Sequence, residues 1–184
     1  MWNSKYNHWY LSFGLLFFAF SIADTSYVVA LVAYMLFVPL LDADWKQIKS
    51  GVFFRQYSMI AWSVSVLIIV VLIILDNQLL LFTLTTLAIA ALPEEWFFRA
   101  YLQNKLGNSH RAIIISSIVF SCAHMITVSW LAGLLVFLPS IIYGYIYKKT
   151  GDLVLVILLH VLSNVLYNVY LHEIIDRITR SMLI

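Results

Sequence analysis

Six polar side chains in the C-terminal half of the chain are of types that carry out acid–base chemistry. Glu94 and Glu95 are adjacent, and Arg99 follows four residues after the second glutamate. A carboxylate can accept a proton from water and later return it to a leaving group. Imidazole and amide N–H groups can donate hydrogen bonds to a developing negative charge. Residues of these two kinds follow further along the chain, as His124, His160 and Asn164.

These polar residues lie in strongly apolar surroundings. The 184 residues are 63% hydrophobic and 11% charged, with a mean hydropathy of +0.94. Soluble domains contain about 45–50% apolar and about 25% charged residues, so the composition predicts that the lipid bilayer is the solvent of the fold. The net charge of only +2 gives no indication of nucleic-acid binding. A single cysteine, Cys122, excludes an internal disulfide framework.

Apolar runs separated by polar breaks predict an all-α, polytopic transmembrane bundle with about seven spans, within a range of six to eight. The first two runs are shorter than the roughly 20 residues of a spanning helix, so a tilted or partly re-entrant hairpin is expected there. The first run could also be a signal peptide, but a second apolar run follows almost at once, and we interpret it as a span. The predicted spans are Trp9 to Ala23, Tyr27 to Leu41, Tyr57 to Leu75, Leu79 to about Lys105, Arg111 to Ile126, Trp130 to Tyr147 and Leu153 to Leu171.

The distribution of basic residues predicts a cytoplasmic N-terminus. Lysine and arginine are enriched in cytoplasmic segments of membrane proteins. With seven spans and the N-terminus inside, nine of the 11 basic residues fall on the cytoplasmic side. Only Arg177 and Arg180 fall outside, whereas Lys5, Lys46, Lys49, Arg55, Arg99, Lys105, Arg111, Lys148 and Lys149 fall inside or on cytoplasmic helix halves.

The fourth predicted span decides whether the glutamates lie in the membrane. Pro93 precedes them, so the helix could stop at Leu92 and leave both carboxylates in a wet loop. We expect instead a continuous helix to about Lys105, broken by Gly107 and Asn108, because the aromatic residues after Glu95 would be unsuitable in a loop. Proline is tolerated in membrane helices where neighbours satisfy the freed backbone groups.

If this helix is continuous, the polar residues reach similar depths. Counted from the cytoplasmic helix ends at about 1.5 Å per residue, Glu94 lies at roughly 16 Å and His124 at roughly 20 Å. His160 and Asn164 lie at roughly 10 to 17 Å on the same count. Ionisable residues inside a membrane are costly and are functional candidates by default, so the agreement in depth predicts one shared site.

Spacing within the helices predicts which groups point the same way. His160 and Asn164 are four residues apart and share a helix face, as do Glu95 and Arg99. The second pair has opposite charges, so we expect an ion pair there.

Three motifs in this half resemble those of the CAAX-processing and bacteriocin-processing (CPBP, or Abi) intramembrane endopeptidases, particularly small prokaryotic members. Glu94-Glu95-Trp96-Phe97-Phe98-Arg99 is similar to the family's EExxxR motif. Phe120-Ser121-Cys122-Ala123-His124 is similar to its FxxxH motif, and His160-Val161-Leu162-Ser163-Asn164 to its HxxxN motif, in the family's order. The N-terminal half matches only as apolar helices.

The resemblance implies a glutamic-type peptide hydrolase. It implies that Glu94 is the general base, that His124 orients the attacking water, and that His160 and Asn164 donate to the tetrahedral oxyanion. Glu95 and Arg99 would support the site, and the motif residues Trp96 and Phe120 are candidate substrate contacts. The implied organisation is a single membrane domain, 1–184, in which residues 79–171 form the catalytic helices and residues 1–78 supply N-terminal spans of undetermined role.

Several alternatives stay open at this stage. Two histidines and a carboxylate could hold a catalytic zinc ion, although no HExxH motif supports this and no cofactor is expected. The chain could also be a non-catalytic membrane scaffold, or a transporter that uses the carboxylates as a proton relay. The expected location is the cytoplasmic membrane. The expected partners are its lipids and a protein or peptide with a C-terminal membrane or lipid-modified segment.

Overall fold

The structure, a computed structural model, describes residues 26–42 and 58–171, and within these ranges every regular element is a helix. Four helices are long and apolar enough to cross a membrane by length and composition, and two are shorter apolar helices. In chain order the helices are α1 (Ser26–Leu41), α2 (Met59–Leu75), α3 (Leu79–Gln103), α4 (His110–Thr127), α5 (Trp130–Thr150) and α6 (Leu153–Leu171).

The observed helices confirm the all-α prediction and agree closely with six of the predicted spans. The start of α3 at Leu79 and the bounds of α6 coincide with the predicted positions, and the other ends differ by at most three residues. The remaining predicted span, Trp9 to Ala23, lies outside the described residues. The total number of spans and the cytoplasmic side of the N-terminus stay predictions, as does the division of the chain at residue 78.

Helix α3 continues past Pro93, as predicted, and helical conformation extends to Lys105. It does so by widening into π-helical turns on both sides of the proline, over Thr86–Ala91 and Trp96–Gln103. Proline has no N–H to donate, and local π adjustments let a membrane helix absorb such a break. The Leu92 N–H, for example, bonds to the carbonyl of Leu87, five residues earlier. The glutamates therefore lie inside a helix and not in a loop.

Short connections with defined caps join the last four helices. After α3, Gly107 and Asn108 adopt positive φ values of 91° and 49°, and the Asn108 N–H bonds to the Gln103 carbonyl. This left-handed C-terminal break is the one predicted from the sequence. Ser109 then caps α4 by accepting a hydrogen bond from the Ala112 N–H. Ser129 and Asp152 cap α5 and α6 in the same way.

Helices α4 and α5 form a tight antiparallel hairpin, because only two residues connect them. Gly133 permits the close approach: a Cβ atom there would lie 2.6 Å from the Ser121 carbonyl oxygen and would collide with the Met125 side chain. The Ser121 hydroxyl donates to the Gly133 carbonyl at 2.6 Å across this contact. Small residues at helix contacts are typical of membrane bundles. The contact holds α4 closely against α5.

Two groups of buried apolar side chains hold the bundle around the glutamates. One lies mainly between α2, α3, α5 and α6, and includes Ala91, Tyr143, Val156 and Val161. The other joins α1, α3 and α4 through Met35, Phe97, Phe98, Tyr101 and Phe120, among others. Helix α3 contributes to both groups, so it is the central element on which the site is built.

Candidate active site

Glu95 and Arg99 form a fully buried ion pair on α3. Both side chains have 0% exposure, and the Arg99 Nε atom lies 2.9 Å from Glu95 Oε2. The spacing of four residues predicted this pair. The guanidinium also donates from Nη2 to the Ser140 hydroxyl on α5, at 2.9 Å. A buried charge requires a partner of opposite sign and further hydrogen bonds, and the two bonds from Arg99 supply both.

His160 of α6 lies between the two glutamates. Its Nδ1 atom is 2.8 Å from Glu95 Oε1, and its Nε2 atom is 3.7 Å from Glu94 Oε2. A carboxylate only accepts hydrogen bonds, so Nδ1 is the donor in the short contact with Glu95. The structure thus brings Glu94, Glu95, Arg99 and His160 together across 65 residues of sequence.

The two glutamates differ in their bonding. Glu95 is bonded through both carboxylate oxygens, one to His160 and one to Arg99. Within residues 26–42 and 58–171, Glu94 Oε2 is buried and has no hydrogen-bond partner. The Glu94 side chain as a whole is 16% exposed, whereas that of Glu95 is not exposed at all. Glu94 is therefore the carboxylate with free acceptor capacity.

His124 of α4 is the second histidine close enough to influence Glu94. Its imidazole and that of His160 both lie within electrostatic range of Glu94. The His124 Nδ1 atom lies 3.1 Å from the Phe120 carbonyl oxygen one turn earlier. Since a carbonyl only accepts, Nδ1 carries a proton and Nε2 is left for other partners.

Phe120 links the two histidines. Its ring centroid is 4.4 Å from that of His124 and 6.3 Å from that of His160, and the Arg99 guanidinium lies 5.7 Å from the same ring. Phe120 is only 3% exposed. It contacts both these site residues and Phe98, at a centroid distance of 5.0 Å, and its predicted contact with substrate stays a prediction.

The remaining predicted residues, Asn164 and Trp96, lie on the same two helices as His160 and the glutamates. Asn164 is half-buried, one turn beyond His160 on α6, and its side chain makes no hydrogen bond among the described residues. Trp96 is half-buried on α3 and packs against the apolar group shared with α5 and α6. Their proposed roles, as an oxyanion donor and a substrate contact, stay predictions.

Sequence reasoning missed the residues of α5 that support the site. Ser140, bonded to Arg99, is fully buried. The Tyr143 ring stacks on His160 with centroids 5.8 Å apart and an interplanar angle of 27°. Their three-residue spacing places them on one helix face, but serine and tyrosine are common in membrane helices, and no charge marks them.

A catalytic zinc site needs about three protein ligands grouped around one position. In the described part of the chain, no three or more His, Cys, Asp or Glu side chains are grouped in a way that could hold a metal ion. The contacts among Glu95, Arg99 and His160 are ion pairs and hydrogen bonds.

The fold and the site together define a helical, multi-pass membrane protein with a buried carboxylate–histidine centre. Residues 76–166 match the family model of type II CAAX prenyl endopeptidase Rce1-like proteins. This match over residues 76–166 confirms the predicted resemblance to the CPBP family. The matched segment contains all of the motif residues, and the match supports a membrane protease. No curated protein and no solved structure matches the chain.

Proposed function

We propose that this protein is an intramembrane endopeptidase of the cytoplasmic membrane that hydrolyses a peptide bond by glutamate-activated water. The observation that carries the proposal is the unequal bonding of the adjacent glutamates. Both oxygens of Glu95 are bonded, one to Arg99 and one to His160, whereas Glu94 Oε2 has no hydrogen-bond partner among the described residues and lies 3.7 Å from the Nε2 atom of His160. A site arranged in this way has one carboxylate to hold its geometry and one to react.

Glu94 is the general base in this mechanism. A water molecule bound at its free oxygen gives a proton to the carboxylate as the water oxygen attacks the peptide carbonyl carbon. The protonated Glu94 then transfers this proton to the amine nitrogen as the C–N bond breaks. The products are a new carboxylate and a new amine. His124, on the adjacent helix α4, supports this step by orienting the water through its available Nε2 atom.

His160 and Asn164 stabilise the tetrahedral oxyanion. The Nδ1 proton of His160 is held by Glu95, so Nε2 donates only when the ring carries both protons. Before the attack, the negative charges of Glu94 and Glu95 stabilise that imidazolium form. Once Glu94 has taken the proton of the water, Glu95 and the oxyanion itself stabilise it. Asn164, one turn further along α6, has an amide without a partner in the described structure and supplies the second donor. Preorganised donors of this kind are among the largest catalytic contributions.

The depth of the site points to a substrate that is itself in the membrane. Glu94 lies nine residues from Gln103, or roughly 14 Å along α3, and His160 lies seven residues from Leu153, or roughly 10 Å along α6. A hydrocarbon core is about 30 Å thick, so the scissile bond must enter the apolar layer. The substrate class we propose is a protein or peptide whose C-terminal part is lipid-modified or membrane-anchored.

Cleavage by the purified chain in proteoliposomes tests the proposal. The substrates would be a peptide with a prenylated C-terminal CAAX tail, the same peptide ending in an apolar helix, and the same peptide with neither. We expect one of the first two to be cut at a single bond, with one ¹⁸O atom from labelled water in the new carboxylate. Absence of cleavage of every tailed substrate, by protein shown to be folded, would contradict the proposal and favour the scaffold or transporter alternatives.

A chelator separates the glutamate mechanism from the zinc alternative. We expect cleavage to continue at an unchanged rate after prolonged treatment with a strong chelator, because the proposed steps use only side chains and water. Loss of activity that added zinc restores would overturn the general-base assignment. Magnesium added in place of zinc is the matched control.

A further inference from the structure

Tyr143 on α5 lies beside His160, and the proposed mechanism does not use it. It is 7% exposed, and its ring is stacked on the imidazole at 5.8 Å and 27°. On another side of the imidazole, Phe120 presents a perpendicular contact at 6.3 Å and 78°. Together with the hydrogen bond to Glu95, these contacts restrict both the position and the tilt of the His160 ring.

The Tyr143 hydroxyl adds a second connection to the same helix turn. It donates to the Ser163 hydroxyl at 2.6 Å and lies 3.4 Å from the Leu159 carbonyl. Leu159 and Ser163 flank His160 along α6. Tyr143 therefore holds both the imidazole and the backbone turn that carries it. A buried tyrosine needs a partner for its hydroxyl, and here the partner lies on the helix whose histidine the ring covers.

We propose that Tyr143 is a positioning residue for His160, which it holds at the angle at which Nε2 points toward the reacting carbonyl. The proposal rests on the function proposed above. An oxyanion donor must lie within a few tenths of an ångström of its place, and misplacement by about 1 Å can cost about a hundredfold in rate. Stacking also suits a protonated imidazole, since an aromatic face attracts a cation.

Tyr147 offers a matched control on the same helix. It lies one turn further along α5, is 3% exposed, and its hydroxyl is bonded to the Asn104 side chain at 3.0 Å. Both tyrosines thus have a buried ring and a hydroxyl bonded to another helix, but only Tyr143 touches His160. A change that merely loosens the bundle would affect the two positions alike.

The test compares Tyr143→Phe and Tyr143→Leu with Tyr147→Phe and Tyr147→Leu in proteoliposomes, with cleavage measured as separate kcat and KM values. We expect Tyr143→Leu to lower kcat about tenfold or more with KM unchanged, because the imidazole loses its stacking partner. Tyr143→Phe keeps the ring and should lower kcat only about threefold. Both Tyr147 variants should keep kcat within about twofold of the original protein.

Several outcomes would overturn the proposal. Unchanged kcat in folded Tyr143→Leu protein would do so, and so would an equal loss in Tyr147→Leu. If Tyr143→Leu does not fold, Tyr143→Met, which keeps an unbranched apolar chain, takes its place with the same expected loss. Glu94→Gln, measured in parallel, distinguishes the two proposals. Full activity in Glu94→Gln means that the proposed function fails. An inactive Glu94→Gln together with an unaffected Tyr143→Leu means that only the positioning role of Tyr143 fails.

Discussion

The buried ion pair between Glu95 and Arg99 makes a quantitative prediction about stability. Both side chains have 0% exposure, and their atoms are 2.9 Å apart. Removing one member of such a pair leaves the other as an uncompensated buried charge, which costs about 3–5 kcal/mol. We therefore expect Arg99→Met and Glu95→Leu each to lower the free energy of unfolding by about that amount. Arg99→Met also removes the hydrogen bond to Ser140.

The double variant Glu95→Leu/Arg99→Met should be far more stable than the sum of the single losses predicts. It removes both charges of the pair together, and replacing a complete buried pair by apolar groups is often close to neutral. Independent effects would sum to about 6–10 kcal/mol, whereas we expect the double variant to lose less than either single variant.

The measurement is reversible unfolding in mixed micelles, titrated with a denaturing detergent and followed by far-UV circular dichroism. It gives the unfolding free energies of the original protein, the two single variants and the double variant. Ser140→Ala is the graded control: it should cost about 1.5–3 kcal/mol, because only one hydrogen bond to a charged group is lost. Additive losses in the double variant would refute the reasoning, since they would mean that the two charges do not compensate each other in the folded protein.

Two further predictions concern helix contacts and catalysis. Gly133→Val should lower the unfolding free energy by about 1–3 kcal/mol through overpacking against Ser121. Leu134→Val, on the exposed face of α5, should change it by less than about 0.5 kcal/mol. Equal effects of the two changes would contradict the close α4–α5 contact. His124→Asn should lower kcat for peptide cleavage by about a hundredfold or more. His110→Asn, at the exposed start of α4, should leave kcat unchanged. A wild-type rate in folded His124→Asn protein would remove His124 from the mechanism.

The helices were predictable from the sequence because a membrane protein encodes them in apolar runs of about the membrane thickness. The bounds of α6 and the break at Gly107 and Asn108 follow from composition and local turn chemistry alone. Continuity of α3 past Pro93 was also predictable, from the aromatic residues that follow it. The π-helical turns that make this continuity possible were not, because no residue type specifies a register of five.

Part of the candidate site could likewise be predicted from residue spacing within single helices, and the rest depends on how the helices pack together. The Glu95–Arg99 pair follows from a spacing of four residues, and similar depths predicted that His160 would meet the glutamates. Which glutamate would bond to Nδ1 of His160 depends on helix rotation and packing, which spacing does not determine. Ser140 and Tyr143 complete the site through packing of α5, and their residue types alone gave no reason to select them.

In the proposed mechanism Glu94, and not its neighbour Glu95, activates the attacking water. The most direct measurement is single-turnover cleavage of the tailed substrate by Glu94→Gln protein in proteoliposomes, beside Asp76→Asn, the same chemical change at the exposed carboxylate between α2 and α3. We predict that Glu94→Gln folds normally and cleaves at least about a hundredfold more slowly, while Asp76→Asn cleaves at the original rate. Cleavage at the original rate by Glu94→Gln would contradict the account.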